Sequence, residues 1–158
     1  MQFINYFFAS VISYLGLIIG IMLVKTAPEE QKPLEQYFIL ARKTLLLAIF
    51  IFLFFYYFND HFNLLILAVY FGFLLFVEFK LNDLFKKTIV TYTLLGILFF
   101  LSSNNINLFA IESGLILLYG IPTASLIYDR RGKNQYKIIF YNIGFVVIAN
   151  ILFTQKLF

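Results

Sequence analysis

Residues 3 to 24, FINYFFASVISYLGLIIGIMLV, contain no charged side chain. Wound as an α-helix at 1.5 Å per residue, the stretch is about 33 Å long, enough to cross a hydrocarbon core about 30 Å thick. Five more apolar runs follow, at about 38–58, 62–79, 86–103, 106–128 and 137–155. In lipid every backbone N–H and C=O must be satisfied internally, so runs of this length are expected to be helices. The expected fold is an all-α, polytopic integral membrane bundle of six transmembrane helices. These runs use nearly the whole chain, so residues 1–158 are expected to form one membrane domain. Composition agrees: 62% of the 158 residues are hydrophobic and 13% charged, against roughly 45–50% and 25% in soluble domains. The uncharged cores of spans two and four, 44–58 and 88–103, are short. Snorkelling of Arg42, Lys43, Lys86 and Lys87 is expected to supply the missing length.

The basic residues test the span count independently, because Lys and Arg collect in alternate loops when every span crosses. The first connection carries Lys25, Lys32, Arg42 and Lys43, the third Lys80, Lys86 and Lys87, and the fifth Arg130, Arg131, Lys133 and Lys137. On the opposite side only Lys156 is basic. The pattern predicts a cytoplasmic-membrane protein with both termini outside. The first ten residues hold no Lys or Arg, so the basic region of a cleaved signal peptide is missing and span one is expected to stay attached. The net charge of +4 is thereby explained by topology, and no nucleic-acid partner is expected.

Charge and proline gather in one island, VKTAPEEQKPLEQYFILARK, residues 24 to 43. Thr26 and Glu29 have capping-box spacing, whereas Pro33 is tolerated only near a helix start. An interfacial elbow is expected, with at most one helical turn over 27–32 and a new helix from about Pro33. The string GLIIGIMLVKTAPEEQKPLEQYF, residues 16 to 38, resembles the first-span and loop region of small uncharacterised archaeal multi-pass membrane proteins with an APEE-type loop. The resemblance implies a multi-pass architecture and no particular chemistry.

Parts for catalysis are scarce. The chain has no cysteine, which removes disulfides, thiolate nucleophiles and thiolate metal sites. His61 is the single histidine, beside Asp60 in a short outer turn. Asp60, Asp83 and Asp129 are far apart in sequence, so no local carboxylate cluster exists for a divalent ion. HExxH, GxSxG and a phosphate-cradling glycine loop are all missing from the sequence. No catalytic residue, metal or cofactor is assigned. Within YDRRGK, residues 128 to 133, Arg130 and Arg131 are candidate contacts for an anionic headgroup.

The informative groups are polar or small residues inside the spans. Ala9, Ser13, Gly16 and Gly20 form a small-residue seam on span one, and Ala110, Ser113, Gly120 and Ala124 a second on span five. Ala68 with Gly72, and Thr93 with Gly96, are weaker versions. Such seams let helix backbones approach closely in lipid. Spans one, five and six are therefore expected at the centre, with two, three and four around them. Glu112 is the one acid well inside a span, about 8–10 Å from the outer turn. Ser10 and Asn150 fall at a similar depth on spans one and six. An intramembrane polar cluster of Glu112, Asn150 and Ser10 is expected, continued inward by Tyr119 toward the Pro122 kink. A structural role would make Glu112 a neutral acid bonded to Asn150, whereas a transport role would make it a proton or cation site. The leading functional expectation is a non-enzymatic structural or assembly subunit, its seams and loops binding a membrane-protein partner or a second copy. A small transporter or channel component built on Glu112 is the alternative.

The topology is checked by single-cysteine labelling. Thr26→Cys, Asn82→Cys and Lys133→Cys are each expected to resist a membrane-impermeant thiol reagent in intact cells, and labelling at any one overturns the proposed orientation.

Overall fold

The computed structural model describes residues 2–128 and 135–157. Its helices are α1 (Phe3–Thr26), α2 (Glu35–Tyr56), α3 (His61–Lys80), α4 (Leu84–Ser102), α5 (Ile106–Ile127), α6 (Gln135–Asn142) and α7 (Gly144–Leu157). Six helical stretches are long and apolar enough to cross a membrane: α1 to α5, and α6 with α7, which together form the sixth. The protein is a six-helix, multi-pass membrane bundle. Its outer surface is apolar, with Phe8, Phe55, Phe62, Phe76 and Phe79 exposed on several helices, as a surface solvated by lipid tails requires.

Short polar turns start the helices where the sequence places them. Asp60 caps α3 by accepting from the Asn63 amide at 3.2 Å. Asp83 caps α4 through the Phe85 amide at 2.9 Å, and Asn105 caps α5 through the Asn107 and Leu108 amides at 2.9 and 3.1 Å. Each satisfies amide groups that the first helical turn leaves unpaired. Thr26 behaves differently from a capping residue. The apolar helix of span one runs on through it, and its hydroxyl donates back to Leu23 and Met22 carbonyls at 2.9 and 3.2 Å. The elbow that follows is pinned by Gln31, whose amide donates to the Ser125 and Tyr128 carbonyls at the end of α5, at 2.8 and 3.0 Å. At the opposite end, Tyr57 donates to the Leu101 carbonyl at 2.9 Å, Asn104 to Tyr57 at 3.2 Å and Lys156 to Asn104 at 2.5 Å. The second and fourth connections and the C-terminal end therefore meet on one side of the bundle.

The centre is α5, which packs on α1, α2 and α4; α4 in turn packs on α7. Span four is therefore a core element, not a peripheral one: 44% of its apolar window is buried, equal to spans one and five and above the 28% of span six. The reason is its own small residue. A Cβ on Gly96 would stand 2.8 Å from the Phe145 carbonyl oxygen, so the α4 and α7 backbones meet there. Spans two and three stay peripheral, at 22% and 17%.

The inner parts of the two long seams, Gly16 and Gly20 against Gly120 and Ala124, meet each other, whereas Ala110 is exposed. A Cβ on Gly16 would fall 1.9 Å from the Leu117 carbonyl oxygen, and one on Gly120 would fall 2.6 Å from the Gly16 carbonyl carbon. Gly20 meets Ile121 and Ala124 one turn further on. Beside them the Ser13 hydroxyl donates to the Ala9 carbonyl at 2.9 Å, satisfied within its own helix. By contrast Gly72 has open space around it and Ala68 is exposed, so the short seam on span three joins nothing among the described residues.

Gly16→Ala and Gly120→Ala are each expected to lower stability by roughly 1–3 kcal/mol through overpacking. Gly72→Ala should leave it unchanged. Thermal unfolding in detergent measures the contrast, and equal effects at the three positions would remove α1–α5 contact as the organising interface.

Candidate functional site

Glu112 lies two turns inside α5 and is 0% exposed. Helical spacing puts Phe109, Ile116 and Tyr119 on the same buried face. Ring contacts tie that face to α4 on both sides of the acid: Phe109 to Phe99 at 4.8 Å between centroids, and Tyr119 to Tyr92 at 5.9 Å. Phe109 also stacks on Tyr6 of α1 at 5.5 Å. The carboxyl is thus enclosed between two aromatic layers inside the bundle. Neither of its oxygens has a hydrogen-bond partner among the described residues.

The residues expected to gather around Glu112 divide into two groups. Ser10 and Asn150 do meet: the Asn150 amide donates to the Ser10 hydroxyl at 3.0 Å and to the Val146 carbonyl at 2.7 Å. This bond joins spans one and six, and no hydrogen bond links either residue to Glu112 among the described residues. Among the described residues the buried side-chain carbonyl oxygens of Asn150 and Asn142 and the buried Tyr92 hydroxyl have no hydrogen-bond partner. The seam residues Ser13, Gly16, Gly20 and Gly120 serve the α1–α5 contact described above. Tyr119, about 10 Å further along the helix from Glu112 at 1.5 Å per residue, belongs to a different system.

That second system is a buried ion cluster. Arg42 is 4% and Lys87 7% exposed. Arg42 Nε donates to the Tyr119 hydroxyl at 3.2 Å, and its two terminal nitrogens meet the Glu78 carboxylate at 3.5 and 3.2 Å. Lys87 Nζ donates to the Glu78 carbonyl at 2.7 Å and lies 3.5 Å from its carboxylate. The guanidinium also stands 6.0 Å from the centre of the Tyr119 ring, within cation–π range. The expectation that Arg42 and Lys87 snorkel outward is therefore corrected. Both turn inward because Glu78, at the end of α3, supplies a counter-charge, and a buried charge survives only when paired. Lys43 and Lys86, without such a partner, are exposed. Pairing across 36 residues between Arg42 and Glu78 leaves no local spacing to notice. The available signal was the lone acid near the C-terminal end of span three, on the side where the basic connections gather.

Arg130 and Arg131 lie outside the described residues. His61 opens α3 and is exposed. No group of three His, Cys, Asp or Glu side chains among the described residues is placed to hold a metal ion.

The cluster has a test in stability. Glu78→Gln strands two buried cations, so it is expected to cost about 3–5 kcal/mol and more than Arg42→Gln, which leaves Glu78 with Lys87. Lys87→Met added to Glu78→Gln should restore part of the loss. Melting temperatures of the purified variants would show this order, and an Arg42→Gln effect as large as that of Glu78→Gln would contradict it. Set against protein-family models, curated proteins and solved structures, the chain matches none of them.

Proposed function

We propose that the protein is a small membrane transport component in which Glu112 takes up and releases a proton inside the bilayer. The observation that carries this is the carboxyl itself, fully buried with both oxygens unpartnered among the described residues. An acid kept only for structure would be expected to bridge two helices, and the residue expected to receive that bridge, Asn150, bonds Ser10 instead. Ionisable groups inside a membrane are costly and mark pathways for ions or protons. A single carboxyl suits a proton better than a divalent cation, which needs several oxygen ligands. Other buried polar groups lie in the same bundle: the Ser10 hydroxyl with the Asn150 carbonyl oxygen, and Tyr92, Tyr119 and Arg42. In this proposal the protein sits in the cytoplasmic membrane, with both termini outside and the ion cluster toward the cytoplasm.

The structural or assembly subunit, the leading expectation from the sequence, drew its support from small-residue seams and charged loops able to bind another protein and from the scarcity of catalytic parts. Gly16, Gly20, Gly120 and Ala124 of those seams are used inside the chain, which weakens the part of that support that rests on them.

Liposomes containing the purified protein and a trapped pH dye test the proposal. An imposed pH gradient is expected to collapse faster than in empty vesicles, and Glu112→Gln should return the rate to that of empty vesicles while leaving the melting temperature within a few degrees. A dicyclohexylcarbodiimide adduct at Glu112, found by mass spectrometry, should block the flux in parallel. Equal flux with and without the carboxyl overturns the proposal.

A further inference from the structure

Between α2 and α3 runs a groove of about 400 Å³ with two chemically different ends. One end is the ion cluster, with Arg42, Lys43, Glu78 and Lys87 in its lining. The other is apolar, walled by Phe50, Phe71, Leu74, Leu75 and Phe79 among others. Phe79 is 83% exposed and Leu75 42% exposed on its outer lip, so the groove opens toward lipid and not into the bundle core. The helices around it touch sparsely: α3 packs lightly on α2 and on α4.

Charge at the polar end does not balance. Arg42 and Lys87 bring two positive charges against the one carboxylate of Glu78, and Lys43 adds another at the rim. Hydrogen-bonding capacity is also left over. A guanidinium has five N–H donors and an ammonium three. The bonds to Tyr119 and Glu78 engage three of the Arg42 donors and one of those on Lys87, whose ammonium also pairs with the Glu78 carboxylate at 3.5 Å. An excess positive charge with spare donors, held at the membrane edge of an apolar groove, complements an amphiphile with an anionic head and a hydrocarbon tail.

We infer that this groove binds one anionic membrane lipid through its phosphate. The phosphate meets the free donors of Arg42, Lys87 and Lys43, and one hydrocarbon chain lies along Phe50, Phe71 and Leu74 between α2 and α3. Free inorganic phosphate would gain the charge contact alone and would leave the apolar wall uncovered. The lipid supplies packing that α3 lacks within the chain, and it neutralises the surplus charge that Glu78 cannot.

Native mass spectrometry of the protein in mild detergent tests this with dioleoyl phosphatidylglycerol, dioleoyl phosphatidylcholine and inorganic phosphate as probes. The wild type is expected to retain one phosphatidylglycerol in preference to phosphatidylcholine. Lys43→Gln and Lys87→Gln should each weaken that retention about fivefold, the factor equivalent to ~1 kcal/mol per basic residue at a membrane surface. Lys25→Gln, exposed in the same basic side but away from the groove, should change nothing. Lys43 is exposed and outside the Glu78 pairing, so its variant reports on the site even if Lys87→Gln misfolds. Equal retention of the two lipids, or an equal loss from Lys25→Gln, overturns the inference. So does displacement of the lipid by millimolar inorganic phosphate, which would make the site one for the free anion.

Discussion

Backbone contact between α1 and α5 at Gly16 and Gly120 is the constraint on which the remaining arrangement rests. With lipid outside and apolar side chains inside, there is little hydrophobic drive to hold helices together, and close van der Waals packing has to supply it. The contact is close enough that no Cβ fits at either glycine. It sets the register of the two helices, and so it decides which face of α5 is left for α4 and α2. Phe109, Glu112, Ile116 and Tyr119 occupy that buried face. The aromatic layers on either side of Glu112 are consequences of the same register.

Two polar systems occupy this frame and differ in kind. The Arg42–Glu78–Lys87 cluster is paired, links α2, α3 and α4, and lies toward the ends of these helices that carry the first and third connections. Its role in holding α3 is mechanical, because α3 packs only lightly on its neighbours. Glu112 is fully buried, and its carboxyl has no hydrogen-bond partner among the described residues. Tyr119 stands between them, buried on the Glu112 face while accepting from Arg42.

Most of the fold was legible because bilayer thickness converts directly into run length. The expected spans and the observed helices differ by a few residues at most, and their starts are marked by Asp60, Asp83 and Asn105. The burial of Glu112 was legible too, since an acid exposed to lipid is too costly to keep. What escaped was pairing at a distance. Nothing local tells Asn150 to choose Ser10, or Arg42 to turn toward a residue on the next helix, because those choices follow from helix rotation. Span four was placed outside because its single glycine looked like a weak seam, although one glycine suffices when the facing carbonyl, at Phe145, belongs to a neighbour that can come close. The break at Ile143 between α6 and α7 had its signal in the Asn142–Ile143–Gly144 triplet.

The α1–α5 contact also fixes an order of events during synthesis. Roughly a hundred residues separate Gly16 from its partner Gly120, so at a translation rate of about 5–20 residues per second the first helix waits about 5–20 s in the membrane before its partner exists. Its small-residue face can wait with no unsatisfied hydroxyl, although the Tyr6 and Tyr14 hydroxyls find their carbonyl partners, Ala149 and Ile139, only later. The hydroxyls of Ser10 and Ser13 are satisfied by carbonyls of their own helix, at Phe7 and Ala9, and glycine offers lipid nothing that must be paired. A face built from residues that bond to themselves stays tolerable to lipid throughout the delay and is still bare enough to receive α5 when it arrives.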